Sequence, residues 1–264
     1  MKFNSKILII AGSDSCGGAG IQADLKTATA HKTYAAAAIT CLTAQNTQKV
    51  FLVENASINF LRQQLEVVLD DIKFDAIKIG MLGTSEIIDC VADVLNKKAK
   101  NIPLVLDTVM VATSGDLLLE KKAVESLKSK LVKGAFIVTP NIDEAEVLAN
   151  MKIKNLEDMR CAAIKIKAMG AKNVLIKGGH LNFSDKKIHN LLLDEKNKFY
   201  IISNKKIEVK KLHGTGCTLA SAIACNLAKK LDLVSAVKKA NRYVYRCVVN
   251  NLVVGKGSLV LRHF

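Results

Sequence analysis

Short β-branched runs alternate with amphipathic stretches along most of this chain, and that alternation narrows its fold further than anything else in it. The candidate buried strands are Lys6–Ala11, Ala76–Gly80, Leu104–Asp107, Phe136–Thr139 and Val174–Gly178. Between them, Ile58–Leu69, Ser85–Lys97, Lys121–Leu131 and Leu156–Met169 carry apolar residues three and four apart, as one face of a helix does. Strands that alternate with helices are βαβ units, whose crossovers make neighbouring strands parallel. Farther on, Ile188–Leu193 and Phe199–Ser203 read as an antiparallel pair joined by Asp194-Glu195-Lys196-Asn197, followed by helices over Gly216–Lys229 and Val234–Asn251. The expectation is an α/β fold, an open and mostly parallel sheet with helices on both faces. In such sheets ligands bind outside the carboxyl ends of the strands, so chemistry is sought just past each run.

Composition limits the function classes. The 264 residues, half of them hydrophobic, suffice for one sizeable core, and no repeat or linker divides them, so a single domain over 1–264 is expected. No stretch approaches the roughly 18 consecutive apolar residues of a membrane helix, and Ile7–Gly12 reads as a first strand rather than a signal-peptide core. A cytoplasmic protein is expected. Seven cysteines, an odd number without Cys-x-x-Cys spacing, argue against a disulfide framework or a zinc site. The formal charge of +15 is scattered in lysine pairs, with four Tyr, eight Phe and no Trp for base stacking. That pattern reads as a solvated surface rather than a nucleic-acid interface. Neither a nucleic-acid nor a membrane partner is expected, while an exposed sheet edge or helical face could support a homodimer.

Past the first strand comes Gly12-Ser13-Asp14-Ser15-Cys16-Gly17-Gly18-Ala19-Gly20 and then the helical Ile21–Lys26. Glycines allow close backbone approach, and the helix start offers free N–H groups, yet the spacing is neither a P-loop nor a dinucleotide fingerprint. A tight strand-to-helix turn would explain it equally well. Asp107 ends another strand, where a carboxylate can face a cation or a nucleotide, or simply cap a helix. In Thr139-Pro140-Asn141-Ile142-Asp143-Glu144, proline ends a strand and acids sit in a helix's first turn, a sufficient structural explanation by itself. Lys177 interrupts the apolar run Val174–Gly178, so an anionic partner is implied: nucleotide phosphate or a structural carboxylate.

His213-Gly214-Thr215-Gly216-Cys217-Thr218 carries the strongest signal. Two glycines straddle a threonine immediately before a helix with Leu219, Ile223 and Leu227 on one face. Free N–H groups and the positive end of the dipole make a phosphate site, and donors aimed at a moving phosphoryl group lower its barrier. Cys217 at that helix start is either a small apolar residue or a base whose thiol pKa is lowered there. His213 reads as a capping or packing residue.

Several of these strings resemble one family. Ala11–Lys26 and Ile39-Thr40-Cys41-Leu42-Thr43-Ala44-Gln45-Asn46-Thr47 are similar to the opening signatures of the hydroxymethylpyrimidine/phosphomethylpyrimidine kinases, a branch of the ribokinase-like superfamily. Asp107-Thr108-Val109-Met110 resembles that family's Asp-x-Val-Met segment, and Asn141…Glu144 resembles the superfamily's magnesium-associated motif. Cysteine at 217, where most of the superfamily has Asp, is characteristic of this branch and of some pyridoxal kinases. The resemblance runs from residue 11 to 218 and implies a three-layer αβα sandwich.

The activity it implies is phosphorylation by ATP, with Mg²⁺, of 4-amino-5-hydroxymethyl-2-methylpyrimidine and then of its monophosphate, in thiamine biosynthesis. Gly12, Asp24, Gln45 and Val109 would line the pyrimidine pocket. Lys177, Asp107 and Asn141 would serve ATP, with Asp107 and Glu144 organising the metal. Gly214, Thr215 and Gly216 would hold the transferred group, and Cys217 would accept the hydroxyl proton. Many relatives carry Lys where this chain has Thr113, and a lid is expected around Val109–Asp116. A pyridoxal kinase, or a non-catalytic pyrimidine sensor, is the alternative.

Overall fold

The structure is a computed structural model that describes residues 5–110, 121–179, 181, 186–209 and 211–264. Thr113, His180 and all of the expected lid beyond Met110 lie outside the described residues. Among the described residues, nine strands form one sheet in the order β3-β2-β1-β4-β5-β6-β7-β8-β9. They are β1 (Lys6–Asp14), β2 (Tyr34–Gln45), β3 (Val50–Asn55), β4 (Ala76–Ile79), β5 (Leu104–Leu106), β6 (Ile137–Val138), β7 (Asn173–Ile176), β8 (Lys187–Leu193) and β9 (Phe199–Lys205). The six strands from β2 to β7 are parallel, while β3 at one edge and β8 and β9 at the other run antiparallel to their neighbours.

Helices cover both faces, so the structure bears out the αβα sandwich. On one side, α2 (Ile58–Asp71), α3 (Ser85–Lys98), α4 (Lys121–Ser126), α5 (Ile142–Ala149) and α6 (Leu156–Ala168) pack on Leu8, Ile10, Ile77, Ile79, Leu106 and Val138. On the other, α1 (Gly20–Ala30), α7 (Thr215–Ala228) and α8 (Leu233–Val249) pack on Ile7, Ile9, Val105, Ile137 and Leu175. The alternation along β1 is the period-2 pleat at work. Residues buried on both faces make its sequence one continuous apolar run.

Three departures from the expected elements have physical reasons. The strand β2 was not anticipated, because Ala35–Ala38 has low β propensity and shows no alternation; pairing to β1 on one side and β3 on the other decides its state. The expected helix Lys121–Leu131 continues past Ser126 as a π-helical turn over Leu127–Val132. That wider turn carries Leu127 and Val132, five residues apart, to one buried face. Finally, β10 (Leu212–His213) and β11 (Leu259–Val260) pair in parallel, tying the C-terminal segment to the start of α7.

Candidate active site

A cavity of about 790 Å³ lies past the carboxyl ends of the parallel strands, where the open-sheet rule places ligands. One half is bounded by the turn after β1, by Thr43 and Gln45 on β2, and by Met81 and Val109. The other half is bounded by Asn141, Glu144, Lys177, Asn190, residues 204–207, 209, 211 and 212, and Tyr245 on α8. The residues Gly214–Cys217, at the start of α7, face both halves.

That junction is built by close approach of two loops. Gly214 has φ 84°, left-handed backbone open to glycine, and a Cβ there would collide with the carbonyl oxygen of Gly18. The two glycine turns therefore touch backbone to backbone, bringing the start of α7 over the start of α1. Thr218 then closes the first turn of α7, its hydroxyl donating to the carbonyl of Gly214 at 2.8 Å. The Thr218 hydroxyl oxygen also lies 3.0 Å from Nε2 of His263, near the end of the chain. Burial pushes the His263 ring down to about 4, so it is neutral.

In the half bounded by Asn141 and Glu144, Lys177 donates to Oδ1 of Asp107 at 2.8 Å and lies 3.9 Å from Oε2 of Glu144. Burial alone would favour the neutral amine, but the two carboxylates outweigh it and hold Lys177 above the usual lysine range. Both carboxylates are nearly sealed from solvent. Glu144 also completes a capping box for α5: its Oε2 accepts from the amide of Asn141 at 2.8 Å, and Asn141 accepts from the amide of Glu144 at 2.9 Å. Thr108 donates to the same Oε2 at 3.1 Å. Burial pushes the Glu144 carboxyl up despite Lys177. Asn141 and Glu144 thus have the structural role that the sequence offered them, and both still line the cavity.

Gly12, Gln45 and Val109 line the other half. Asp24 does not. It is 0 % exposed on α1, where its carboxylate accepts from Lys78 at 2.6 Å and from Ser221 at 2.7 Å. Its place on the inner face of α1 turns it toward the sheet, so it braces α1 against β4 and α7 instead of meeting a ligand. The thiol of Cys217 also departs from expectation. Burial pushes it up to about 12, against the pull of Lys78 and of the Gly20 amide. Screening from bulk water outweighs the helix start, although the residue keeps part of its surface at the cavity, so the group is a thiol at neutral pH.

Two residues carry more of this site than the sequence reading gave them. His213 is buried, and its Nε2 lies 2.9 Å from Oδ2 of Asp14 and 3.0 Å from the side-chain amide of Gln45. Lys78 sits within the apolar run Ala76–Ile79, the same signal that singled out Lys177. Among the described residues, no group of three or more His, Cys, Asp or Glu could hold a metal. A pair of carboxylates without a third ligand fits a magnesium ion carried mainly by nucleotide phosphates and water.

Residues 14–262 match the family model described as phosphomethylpyrimidine kinase. The chain is 41% identical over 260 residues to the hydroxymethylpyrimidine/phosphomethylpyrimidine kinase of Haemophilus influenzae, covering 98% of this chain and 96% of the relative. A phosphomethylpyrimidine kinase structure from Clostridium difficile matches with TM-score 0.81 and 42% identity, over 92% of this chain and 99% of that one. The pyridoxal kinase of Staphylococcus aureus, in complex with ADP, matches with TM-score 0.90 and 34% identity, over 100% of this chain and 94% of that one. No helix among the described residues is long and apolar enough to cross a membrane.

Proposed function

The chain belongs to the phosphomethylpyrimidine kinase family, and from that membership we propose how its cavity is used. It is a phosphotransferase that phosphorylates the pyrimidine precursor of thiamine, as its relatives' names state for them. The observation that carries the residue assignment is the start of α7, held by a glycine–glycine contact at the junction of the two halves. A phosphoryl group moving from nucleotide to alcohol must pass there.

In this reading the aminopyrimidine lies between Gly12, Gln45 and Val109, with its hydroxymethyl group toward Cys217. The triphosphate of ATP extends from the junction toward Lys177 and Asn141. The Gly214–Cys217 amides, which have no partner within the helix, accept the charge that spreads over the moving group. Lys177 neutralises the phosphate oxygens, and its tether to Asp107 fixes the ammonium before the substrate arrives. Asp107 and Glu144 would hold magnesium through water, and the ion would supply charge neutralisation between the phosphates.

Cys217 accepts the hydroxyl proton once its own is lost to solvent. A loose transition state makes that transfer late, so a high thiol pKa slows the reaction without preventing it. The monophosphate, in the same ring position, puts its own oxygen where the hydroxyl had been and receives the second phosphoryl group.

The test is ATP consumption with magnesium, offering the pyrimidine alcohol, its monophosphate and pyridoxal in parallel, with products weighed by mass spectrometry. Mono- and diphosphorylated pyrimidine are expected. Turnover on pyridoxal alone would overturn the pyrimidine assignment in favour of the chemistry named for the Staphylococcus aureus structure.

A further inference from the structure

The substrate half of the cavity contains a chain of hydrogen bonds in which every hydrogen can be counted. Asp14 accepts from the backbone amides of Cys16 at 2.8 Å, Gly18 at 3.0 Å and Ala19 at 2.8 Å. Burial opposes its charge, but the hydrogen bond from His213 and these amides outweigh it and hold the carboxyl below the usual range. Asp14 is therefore an acceptor with no hydrogen of its own. Nε2 of His213 lies 2.9 Å from its Oδ2. A lone pair on that nitrogen would face a carboxylate, so Nε2 carries the hydrogen, in the neutral ring and the charged ring alike.

Gln45 must fit what remains. As the amide is placed, its nitrogen lies 3.0 Å from Nε2 of His213, setting one N–H group against another. At its other end the amide oxygen lies 3.2 Å from Oγ1 of Thr43. That hydroxyl has one hydrogen, and it is directed at the carbonyl of Ser13, 3.0 Å away. Two oxygens would then meet with no hydrogen between them. The oxygen and nitrogen of an amide have nearly the same shape, so the network decides their order. Turning the amide over removes both conflicts: the oxygen shares the single Nε2 hydrogen of His213 with Asp14, and the nitrogen donates to Thr43.

We propose that Asp14 and His213 are positioning residues for Gln45, fixing its amide so that the cavity meets one N–H donor beside one carbonyl lone pair. The proposal rests on Gln45 meeting the substrate, as in the function proposed above. The edge so presented takes a ring nitrogen with a free lone pair next to an exocyclic amine, the edge of a neutral aminopyrimidine. A ring whose nitrogen is protonated meets the Gln45 N–H head-on and is rejected. With the histidine hydrogen removed, only Thr43 still favours that sense, and a rotation of its hydroxyl away from Ser13 lets the amide offer donor and acceptor in either order. Selectivity for the ring nitrogen then falls although the glutamine is still present.

Two measurements on the full-length protein test this. Nitrogen-15 NMR of the histidine rings, without any substitution, is expected to show the His213 hydrogen on Nε2; a neutral ring with its hydrogen on Nδ1 would overturn the proposal. The kinetic measurement compares the aminopyrimidine alcohol with an analogue in which the ring nitrogen beside the amine is replaced by C–H. The parent protein is expected to prefer the true substrate by roughly 10- to 100-fold, the range for leaving one buried donor unpaired. His213→Phe should shrink that preference below about 5-fold, acting on KM for the pyrimidine and leaving KM for ATP within about 2-fold. If Gln45→Ala abolishes the preference while His213→Phe retains it, Gln45 meets the ring unaided and the positioning role is wrong. If neither substitution changes the preference, Gln45 does not meet the ring, and the underlying assignment fails with the proposal.

Discussion

Lys78 and Lys177 interrupt two parallel strands or their ends in the same way, yet the fold answers each burial differently. Lys78 is 0 % exposed and tied to Asp24, itself braced by Ser221. The side chain of Lys177 keeps 16% of its surface exposed at the cavity, beside Asp107 and Glu144. In both, carboxylates overcome burial and hold the ammonium above the usual lysine range. The difference lies in what is left over. The Lys78 pair satisfies itself with no surface left to solvent, although Lys78 lies against the cavity floor, whereas Lys177 and its acids border a volume that a charged ligand can enter. A buried lysine in a strand thus reports an anionic partner, and the strand's end decides whether that partner is permanent.

The sharpest test of the closed pair is Lys78→Met. It strands the Asp24 carboxylate in the core, and breaking a buried pair by removing one partner costs about 3–5 kcal/mol. Denaturant unfolding should show that loss. The double variant Lys78→Met with Asp24→Leu should recover most of it, because well-packed apolar replacements of a buried pair are often neutral or better. A single variant as stable as the parent would remove the distinction between the two lysines. Lys177→Met should give the opposite signature. Activity should fall by about 10²–10³-fold, the cost of losing one donor to a reacting group, with a smaller loss of stability than in Lys78→Met. Glu144, whose carboxyl burial already pushes up, takes a proton in place of its lost partner. Equal stability losses with full activity would make Lys177 a second structural pair.

Cys217 lies close enough to both ammonium groups for each to feel its charge. Because its thiol is pushed up to about 12, only a small fraction is thiolate at neutral pH. If it takes the hydroxyl proton, turnover by the parent should climb as pH rises toward that value. Cys217→Ala should lose about 10²-fold in kcat and most of the climb, within the range for losing a general base. A parent profile that is flat from neutral pH upward would exclude the thiolate.

How much of this was open to sequence reading follows from the kind of signal each residue gives. The parallel strands, the α7 loop and Lys177 are local patterns: apolar runs, glycines before a helix, and a charge in the wrong company. Asp24 was misplaced because a motif fixes a residue's position on the chain, whereas the face of α1 on which it sits depends on α7, nearly two hundred residues away. Lys78 showed the same signal as Lys177 and could have been found by it. His213 could not, since its partners Asp14 and Gln45 meet it across distant loops. The sign of the Cys217 shift depends on how tightly the fold packs around that helix start, and that is absent from local sequence.

The smallest expected effect isolates the lysine tips themselves. Each sits under a glycine: a Cβ at Gly80 would come 2.7 Å from Nζ of Lys78, and one at Gly216 would come 3.2 Å from Nζ of Lys177. The closer contact must be relieved by motion, and the Lys78 tip is held at Asp24, with Ala11 Cβ 3.0 Å from the same point. Gly80→Ala should therefore destabilise. Around Gly216 the contact is tight but the lysine tip borders open volume and can shift by a few tenths of an ångström. Replacing a helical glycine also gains roughly 0.5–1 kcal/mol from the restricted unfolded chain. Gly216→Ala should accordingly unfold at the same or a slightly higher temperature while KM for ATP rises, because the displaced ammonium no longer lies where Asp107 held it. If Gly216→Ala instead lowers the unfolding temperature as Gly80→Ala does, Lys177 is packed as rigidly as Lys78, and the open end of its strand gives it no freedom to serve a ligand.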